Sequence, residues 1–464
     1  MKSTRAFGSR QPDLLPRARC ASIPVAANHR LVQIADTLDW TEMEESAQQI
    51  RAQKLKNGAG RPPRLRVLLG AMILMATRRM TYRDAEDQIR YYAPARYLCA
   101  LTETDWTPDF TTIADFTELM GESGIKLINQ HQVVGKAVEH KLADPTTVVA
   151  DTTAQEAQIP HPNEMGLMAA FLTSVGAASK KVGRALKGFA DETLAQFKKA
   201  KEKVREYRLF AKAKATKNRM MKEMAAVVEK VNRCLGKALA SAAVQGARIK
   251  KHAIVAKGKL LRLHQAMTTL IPQIRYWLRT GFVASGKIIS LHIPELYSVV
   301  RGKVGKKVEF GLNWGIARLR GGYLLGTVAS DRRELQDSKF AVKAVENHIA
   351  LFGKAPDAYA YDRAGYSAAN VDKLKKLGVK HVGLAPRGRS EWEVSGAMKK
   401  KLYKERALVE GGIGTIKAPR YGFNRPSARS AKMMGACGQR AIMGFNINKL
   451  IRELAARNEI AVVG

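Results

Sequence analysis

Residues 30–140 carry apolar side chains at helical spacing. Short segments place apolar side chains three and four residues apart, and residues 65–76 are nearly all apolar, a pattern typical of a buried helix. Two residue pairs have the spacing of an N-cap and its capping-box partner: Thr81 with Asp84, and Thr112 with Asp115. We therefore expect a compact domain of short helices. The sequence leaves open whether this domain binds DNA in the manner of a helix-turn-helix module or is scaffolding.

From residue 146 onward the pattern becomes that of strands. A β-branched run, Thr146–Ala150, ends at Asp151, and residues 308–316 alternate with a period of two. Arg320-Gly321-Gly322 predicts a hairpin turn, so residues 323–329 would return as the partner strand. Further segments have the patterns of strands at 357–361 and 380–384, and of helices at 335–352, 368–377 and 440–458.

The order of these elements predicts an α/β fold with a mixed sheet. Strand, hairpin pair, helix, strand, helix, strand and helix follow one another, which is the order of a ribonuclease-H-like fold. In that order the first strand lies between the hairpin and the strand that precedes Asp362. Asp151 and Asp362 would then follow neighbouring strands, at the sheet edge where α/β proteins place their chemistry.

A long helical insertion is predicted after the first strand. No proline occurs between Pro162 and Pro272, and Asp191–Leu239 is rich in good helix formers. From Lys230 to Pro294 there is no Asp or Glu, whereas 12 Lys or Arg occur. A charge of one sign over such a length favours contact with phosphates, although solubility or packing between subunits is the alternative.

Together these patterns divide the chain into five parts. We predict a basic disordered arm (1–29), an N-terminal helical domain (30–140), a catalytic core in two pieces (144–162 and 286–425), a basic helical insertion (163–285) and a C-terminal helix (426–464).

The charge of the chain indicates a polyanionic partner. Lys and Arg number 79 against 41 Asp and Glu, a net charge of +38. Self-repulsion of this size does not help folding, so nucleic acid is the first candidate partner and an anionic membrane surface the second. The longest run without a charge, Met165–Ser179, is too short to span a bilayer, and the basic N-terminus lacks the apolar stretch of a secretory signal. Four scattered cysteines predict neither a zinc site nor disulfides, and we expect a cytoplasmic protein.

One further stretch carries polar residues at helical intervals. Tyr403, Arg406, Glu410 and Lys417 are separated by three, four and seven positions and would share one helical face. Taken alone, such a stripe is equally typical of a solvated helix with weak ion pairs. The glycines at 411, 412 and 414 predict that the helix loosens after Glu410, which would put Lys417 out of line.

Asp151, Asp362 and Glu410, if brought together, would need a counter-charge. Three adjacent carboxylates do not all stay ionised without one, and divalent metal supplies it. Carboxylates with substrate phosphate are the usual ligands of Mg²⁺, so we predict two Mg²⁺ ions, with Mn²⁺ as a substitute. Arg406 and Lys417 would hold the DNA backbone.

Four motifs resemble those of bacterial insertion-sequence transposases with an Asp-Asp-Glu active site. The stretch Tyr403–Lys417 is similar to their Tyr/Arg/Glu/Lys signature, and Ala150–Thr153 resembles their first-Asp motif. Tyr361–Tyr366 resembles their second-Asp motif, although Ala364 is inserted before the glycine. Lys303–Gly311 and the helical region around 80–116 are also similar. The resemblance covers residues 60–450 apart from the insertion.

The resemblance implies the function. A homodimer would bind the terminal inverted repeats of its own element, hydrolyse phosphodiester bonds at the ends and join the 3′-hydroxyls to target DNA. Asp151, Asp362 and Glu410 would hold the metal ions, and the DNA-binding residues would be Tyr403, Arg406, Lys417 and Arg363. Such a protein would work on the nucleoid without a membrane or a small-molecule substrate. The alternatives are a non-enzymatic repeat-binding protein, or an RNA-binding protein, which would give the three carboxylates no role.

Overall fold

The computed structural model describes residues 25–54, 63–102, 105–182, 186–210, 213–241, 251–303, 306–329, 336–386, 388 and 394–460. The predicted basic arm therefore lies outside the described residues except for 25–29. The chain divides into two compact units. Unit 1 comprises Met1–Ala157, Leu312–Ala428 and Lys432–Gly464, and unit 2 comprises Gln158–Gly311 and Arg429–Ala431.

The elements follow one another in this order. The first part of the chain forms α1 (Arg30–Thr37), α2 (Trp40–Lys54), α3 (Leu65–Arg78), α4 (Tyr82–Tyr91), α5 (Ala93–Leu98), α6 (Phe110–Ile128), a π-helical turn (Asn129–Val134), α7 (Gly135–Glu139) and β1 (Asp144–Glu156). The middle forms α8 (Glu164–Val182), α9 (Lys187–Phe210), α10 (Lys214–Ala240), α11 (Lys251–Thr280), β2 (Tyr297–Lys303), β3 (Lys306–Arg320) and β4 (Leu324–Val328). The last part forms α12 (Asp337–Phe352), β5 (Ala358–Ala360), a 3₁₀ turn (Arg363–Gly365), α13 (Ala368–Lys376), β6 (His381–Gly383), α14 (Gly396–Lys417) and α15 (Ala431–Ala456).

The fold is α/β with a mixed sheet, as expected. The strand order is β2-β3-β1-β5-β6, with β4 paired to β3. β1, β5 and β6 run parallel, whereas the pairs β2–β3 and β3–β4 are antiparallel. The prediction that the first strand lies between the hairpin and the strand before Asp362 is thus confirmed.

Helix starts followed the sequence signals in one case and departed from them in another. The capping box of Thr81 and Asp84 at the start of α4 is present, with both reciprocal hydrogen bonds made. The start predicted at Thr112 is wrong, because α6 begins at Phe110 and its N-cap is Asp109. The Asp109 carboxylate accepts a hydrogen bond from the Thr112 N–H at 2.7 Å, and an ionised side chain at this end is favoured by the helix dipole.

Three other boundaries differ from the predictions. β1 continues to Glu156, so Asp151 lies inside the strand and does not end it. The last residue of β1 is held by a hydrogen bond from the Glu156 N–H to the Asn424 side chain. β2 was not predicted, since the small and basic residues of its sequence hide any alternation. The last helix begins at Ala431, nine positions before the predicted 440, and its glycines are packing sites.

α15 packs against both the N-terminal helices and the sheet of unit 1. A Cβ atom at Gly444 would lie 2.1 Å from the carbonyl oxygen of Ala76 in α3, so only glycine permits this approach. The Asn446 side chain is fully buried; it accepts a hydrogen bond from the Leu324 N–H at 3.0 Å and donates to the Asn129 side chain at 2.9 Å. One continuous apolar core accordingly includes both the N-terminal helices and the sheet.

Unit 2 has a core of its own, formed by α8 to α11. The long helices expected in the insertion are present, and α11 contains Pro272. A polar contact joins α10 to α11, where His264 Nδ1 lies 2.9 Å from the Asn232 side-chain oxygen. A Cβ at Gly236 would lie 2.8 Å from the His264 ring, so this glycine lets the two helices approach.

No helix among the described residues is long and apolar enough to cross a membrane.

Candidate active site

Asp151 and Asp362 occupy equivalent positions on two neighbouring parallel strands. In the β1–β5 ladder Val149 pairs with Ala360. Asp151 follows Val149 by 151 − 149 = 2 positions, and Asp362 follows Ala360 by 362 − 360 = 2 positions. The two carboxylates therefore come from the same level of the sheet, just beyond the last paired residues, although β1 itself continues.

A third acidic residue, which sequence reasoning missed, is hydrogen-bonded to the residue that follows Asp151. Asp337 opens α12, and its carboxylate accepts hydrogen bonds from the Thr152 hydroxyl at 2.6 Å and the Tyr361 hydroxyl at 3.1 Å. Burial, then the charge of Asp337 and further that of Asp151, raise the pKa of the Tyr361 phenol, so it stays a neutral donor. In the sequence, Asp337 was indistinguishable from an ordinary acidic residue in a first helical turn.

α14 lies across the strands that carry the two aspartates. It packs against β1, β5 and β6. Its buried residues form one stripe: Leu402, Val409, Ile413 and Ile416. An ion pair between Arg318 of β3 and Glu405, with both side chains largely buried, holds the same helix to the sheet. Apolar burial and this ion pair thus help to place α14 on the sheet.

The expected break after Glu410 is absent, because α14 continues to Lys417. Gly411 and Gly414 have open space around them, whereas Gly412 lies against Leu324, where a Cβ would come within 3.3 Å of the leucine side chain. The burial of Ile413 and Ile416 stabilises the last turns despite a propensity cost of about 1 kcal/mol per glycine. Lys417 therefore remains in helical register with Tyr403 and Glu410.

The four polar residues of this helix form a stripe beside its buried one. Tyr403, Glu410 and Lys417 each follow a buried residue by one position, a rotation of about 100° around the helix. Tyr403 and Glu410 are exposed, and Arg406 and Lys417 are half-buried. The stripe therefore lies at the border between the sheet and solvent, where a large ligand has access.

Arg406 makes the direct link between this helix and the aspartates. Its guanidinium donates to an Asp362 carboxylate oxygen at 2.8 Å. The same Asp362 oxygen accepts the backbone N–H of Arg363 at 2.5 Å and caps the 3₁₀ turn. Asp362 is thus already neutralised by a cation from α14, and Arg363 is placed by its backbone at the same turn.

The predicted residues meet only part of the requirement for a metal centre. Asp151, Asp362 and Glu410 offer carboxylate oxygens, the ligand type that Mg²⁺ takes. Within the part of the chain that the structure describes, no three acidic, His or Cys side chains are grouped closely enough to hold a metal ion. Asp151 and Asp362 lie on adjacent strands. Glu410 shares a helix face with Arg406, but it does not form a cluster with the two aspartates.

Comparison with known proteins supports a transposase. Residues 20–119 match a family model described as Transposase domain (DUF772). This region covers α1 to α5 and the first half of α6, and does not include the candidate site. No curated protein and no solved structure matches the chain.

Proposed function

We propose that the protein is a transposase of the Asp-Asp-Glu type. It binds the terminal inverted repeats of its own element as a homodimer, hydrolyses phosphodiester bonds at the ends and joins the 3′-hydroxyls to target DNA. The observation that carries the proposal is the β1–β5 register, which sets Asp151 and Asp362 at one level of the sheet beneath α14. The transposase match of the N-terminal region supports it from a separate part of the chain.

In this proposal Asp151, Asp362 and Glu410 hold two Mg²⁺ ions. Bound there, the ions supply the activation of a water or 3′-hydroxyl and stabilisation of the leaving oxygen. Arg406, together with Tyr403, Lys417 and Arg363, would contact phosphates of the cleaved strand. The Thr152–Asp337–Tyr361 hydrogen bonds fix the strand positions around Asp151.

A strand-cleavage assay tests the proposal. The substrate is duplex DNA taken from the flanks of the gene, with labelled ends, incubated with the protein and Mg²⁺. We expect Asp151→Asn, Asp362→Asn and Glu410→Gln each to lower cleavage by at least about a hundredfold, because a metal ligand is removed. Asp357→Asn is the matched control, since this exposed acid precedes β5 at the opposite end of the strand and pairs with Lys380.

A non-enzymatic repeat-binding protein is the second candidate. The family match favours it, since the matched residues 20–119 lie outside the candidate active site. The same assay separates the two candidates. If the wild-type protein binds the flanking DNA but never cuts it with Mg²⁺ or Mn²⁺, the protein is a binder; cleavage that persists in all three carboxylate variants would show that the active site lies elsewhere.

A further inference from the structure

Four arginines from distant parts of the sequence converge in unit 1. They are Arg30 at the start of α1, Arg78 at the end of α3, Arg420 in the loop after α14, and Arg452 on α15. We call this group the arginine cluster. None of its members belongs to the motifs described above.

Hydrogen bonds and ring contacts bring the first two members together. The Arg30 guanidinium donates to the carbonyl oxygen of Asn448 at 2.7 Å. The Arg78 guanidinium lies over the Tyr92 ring, 5.5 Å from its centre, and the Tyr92 hydroxyl lies 3.0 Å from Nε2 of His29. Since His29 immediately precedes Arg30, the ends of α1 and α3 meet at this point.

The other two members reach the same place from the C-terminal half. Arg452 follows Asn448 by four positions on α15, and therefore lies one turn further on the same helix face. The loop that carries Arg420 is held against the end of α3, because a Cβ at Gly422 would lie 3.2 Å from Nε of Arg79. Arg420 and Arg452 are exposed, so their guanidinium groups are accessible to a ligand.

The cluster has positive charge without a matching acid. Among the described residues, no ion pair joins any of the four arginines to a carboxylate, and Glu453, the acid next to Arg452, is bound to Lys449 and the Tyr323 hydroxyl. The buried Nε of Arg30 has no hydrogen-bond partner. The cluster therefore contains a buried donor that lacks an acceptor, and such an unpaired donor costs about 1–3 kcal/mol of stability.

Electrostatic effects within the cluster agree with this geometry. Burial, and next the charges of Arg420, Arg452 and Arg78, lower the pKa of Arg30. Burial and the nearby charge of Arg78 also lower the pKa of His29, whose Nδ1 accepts the Leu31 N–H. An anion placed here would relieve the repulsion among four like charges.

We propose that the arginine cluster binds a backbone phosphate of duplex DNA, at a second contact separate from the candidate active site. Guanidinium groups donate two parallel hydrogen bonds to phosphate oxygens, and a half-buried site strengthens them. The inference rests on the proposed function for the identity of the polyanion, whereas the need for an anion follows from the cluster itself. The contact positions the duplex and reads no sequence.

The test uses the full-length protein and two charge-matched double variants. Arg420→Gln/Arg452→Gln removes the two exposed members of the cluster and keeps the Arg30 contact to Asn448. Arg320→Gln/Lys376→Gln removes the same charge from exposed positions elsewhere in unit 1. Binding of a short duplex of mixed sequence is followed by fluorescence anisotropy from about 50 to about 200 mM NaCl.

We expect the cluster variant to lose roughly tenfold in affinity and to lower the salt slope by about one, because one phosphate contact is lost. The control variant should change either quantity far less. Equal losses in both variants would overturn the inference and leave the proposed function intact, because net charge alone would then account for them. If the wild-type protein fails to bind DNA at all, the proposed function fails as well.

Inorganic phosphate distinguishes a DNA contact from a site for a free anion. Melting temperature is measured for the same proteins with and without phosphate. We expect the cluster variant to be at least as stable as wild type without phosphate, since like-charge repulsion is relieved, and to gain less from added phosphate. A variant that loses phosphate stabilisation but binds duplex with wild-type affinity and salt slope would overturn the DNA assignment in favour of a free phosphate.

Discussion

From the ion pair between Arg406 and Asp362 we predict that one substitution changes metal binding and DNA cleavage in opposite directions. The change is Arg406→Gln, which keeps the length and polarity of the side chain and removes its charge. The Arg406 side chain is 26% exposed and that of Asp362 is 44% exposed. Double-mutant measurements of pairs this accessible give about 0.2–1 kcal/mol, because solvent screens the attraction. The variant should therefore unfold with a free energy within about 1 kcal/mol of wild type.

The same quantity limits the effect on metal binding. Arg406 occupies one oxygen of the Asp362 carboxylate, so we expect its removal to tighten Mg²⁺ binding there in the absence of DNA. Up to 1 kcal/mol corresponds to at most roughly a fivefold gain. DNA cleavage should fall by at least tenfold instead, because the guanidinium no longer contacts phosphate. The two effects are opposite because Arg406 would compete with metal at Asp362 when DNA is absent and would contact a DNA phosphate when DNA is bound.

Calorimetric titration with Mg²⁺, urea unfolding and the cleavage assay measure the three quantities. Arg363→Gln is the control for metal binding, since it removes a neighbouring charge whose side chain makes no described bond to Asp362. Arg318→Gln is the control for stability: its ion pair with Glu405 is largely buried, and breaking it should cost about 3–5 kcal/mol. Weaker Mg²⁺ binding by Arg406→Gln, or a stability loss above about 2 kcal/mol, would refute the reasoning.

Three further changes test the structure around the site. Asn446→Leu should lower the free energy of unfolding by about 2–4 kcal/mol in urea, because it leaves the buried Leu324 N–H without an acceptor; a loss under 1 kcal/mol would count against the bond. Gly438→Ala should cost at least about 2 kcal/mol, since its Cβ would lie 2.2 Å from the Trp314 ring, and wild-type stability would contradict this packing. Burial lowers the pKa of His348 below its ordinary 6.5, so the imidazole takes up a proton when the protein unfolds at acid pH. The contribution of the neutral His348 to the free energy of unfolding is complete above about pH 6.5 and falls as the pH drops below that value. His348→Asn should flatten that acid-side loss in denaturation curves from pH 7 to pH 5, and an unchanged slope would rule the residue out.

Local signals in the sequence predicted those elements that depend on neighbouring residues. The Thr81–Asp84 capping box and the period-two alternation before the Arg320–Gly322 turn specify their structures through contacts of near neighbours. The strand order followed from the order of elements, because chain connectivity restricts how a mixed sheet can be wound.

Features that depend on distant contacts were not predictable in this way. The glycines after Glu410 have poor helix propensity, and the helix persists because Ile413 and Ile416 are buried against other elements. The pairing of Arg406 with Asp362 joins positions 44 residues apart, and the carboxylate of Asp337 reaches Thr152 across 185. Neither the spacing nor the composition of the sequence marks such pairs.

The position of α15 has a consequence for the timing of synthesis. This helix ends at Ala456, yet it contacts α3 through Gly444 and the sheet through Asn446. A ribosome makes about 5–20 residues per second and adds α15 after the other elements of unit 1, so the core of this unit stays open until α15 has been made. A nascent chain that stops before α15 would thus lack the helix that contacts both α3 and the sheet, and it would lack Arg452 of the arginine cluster.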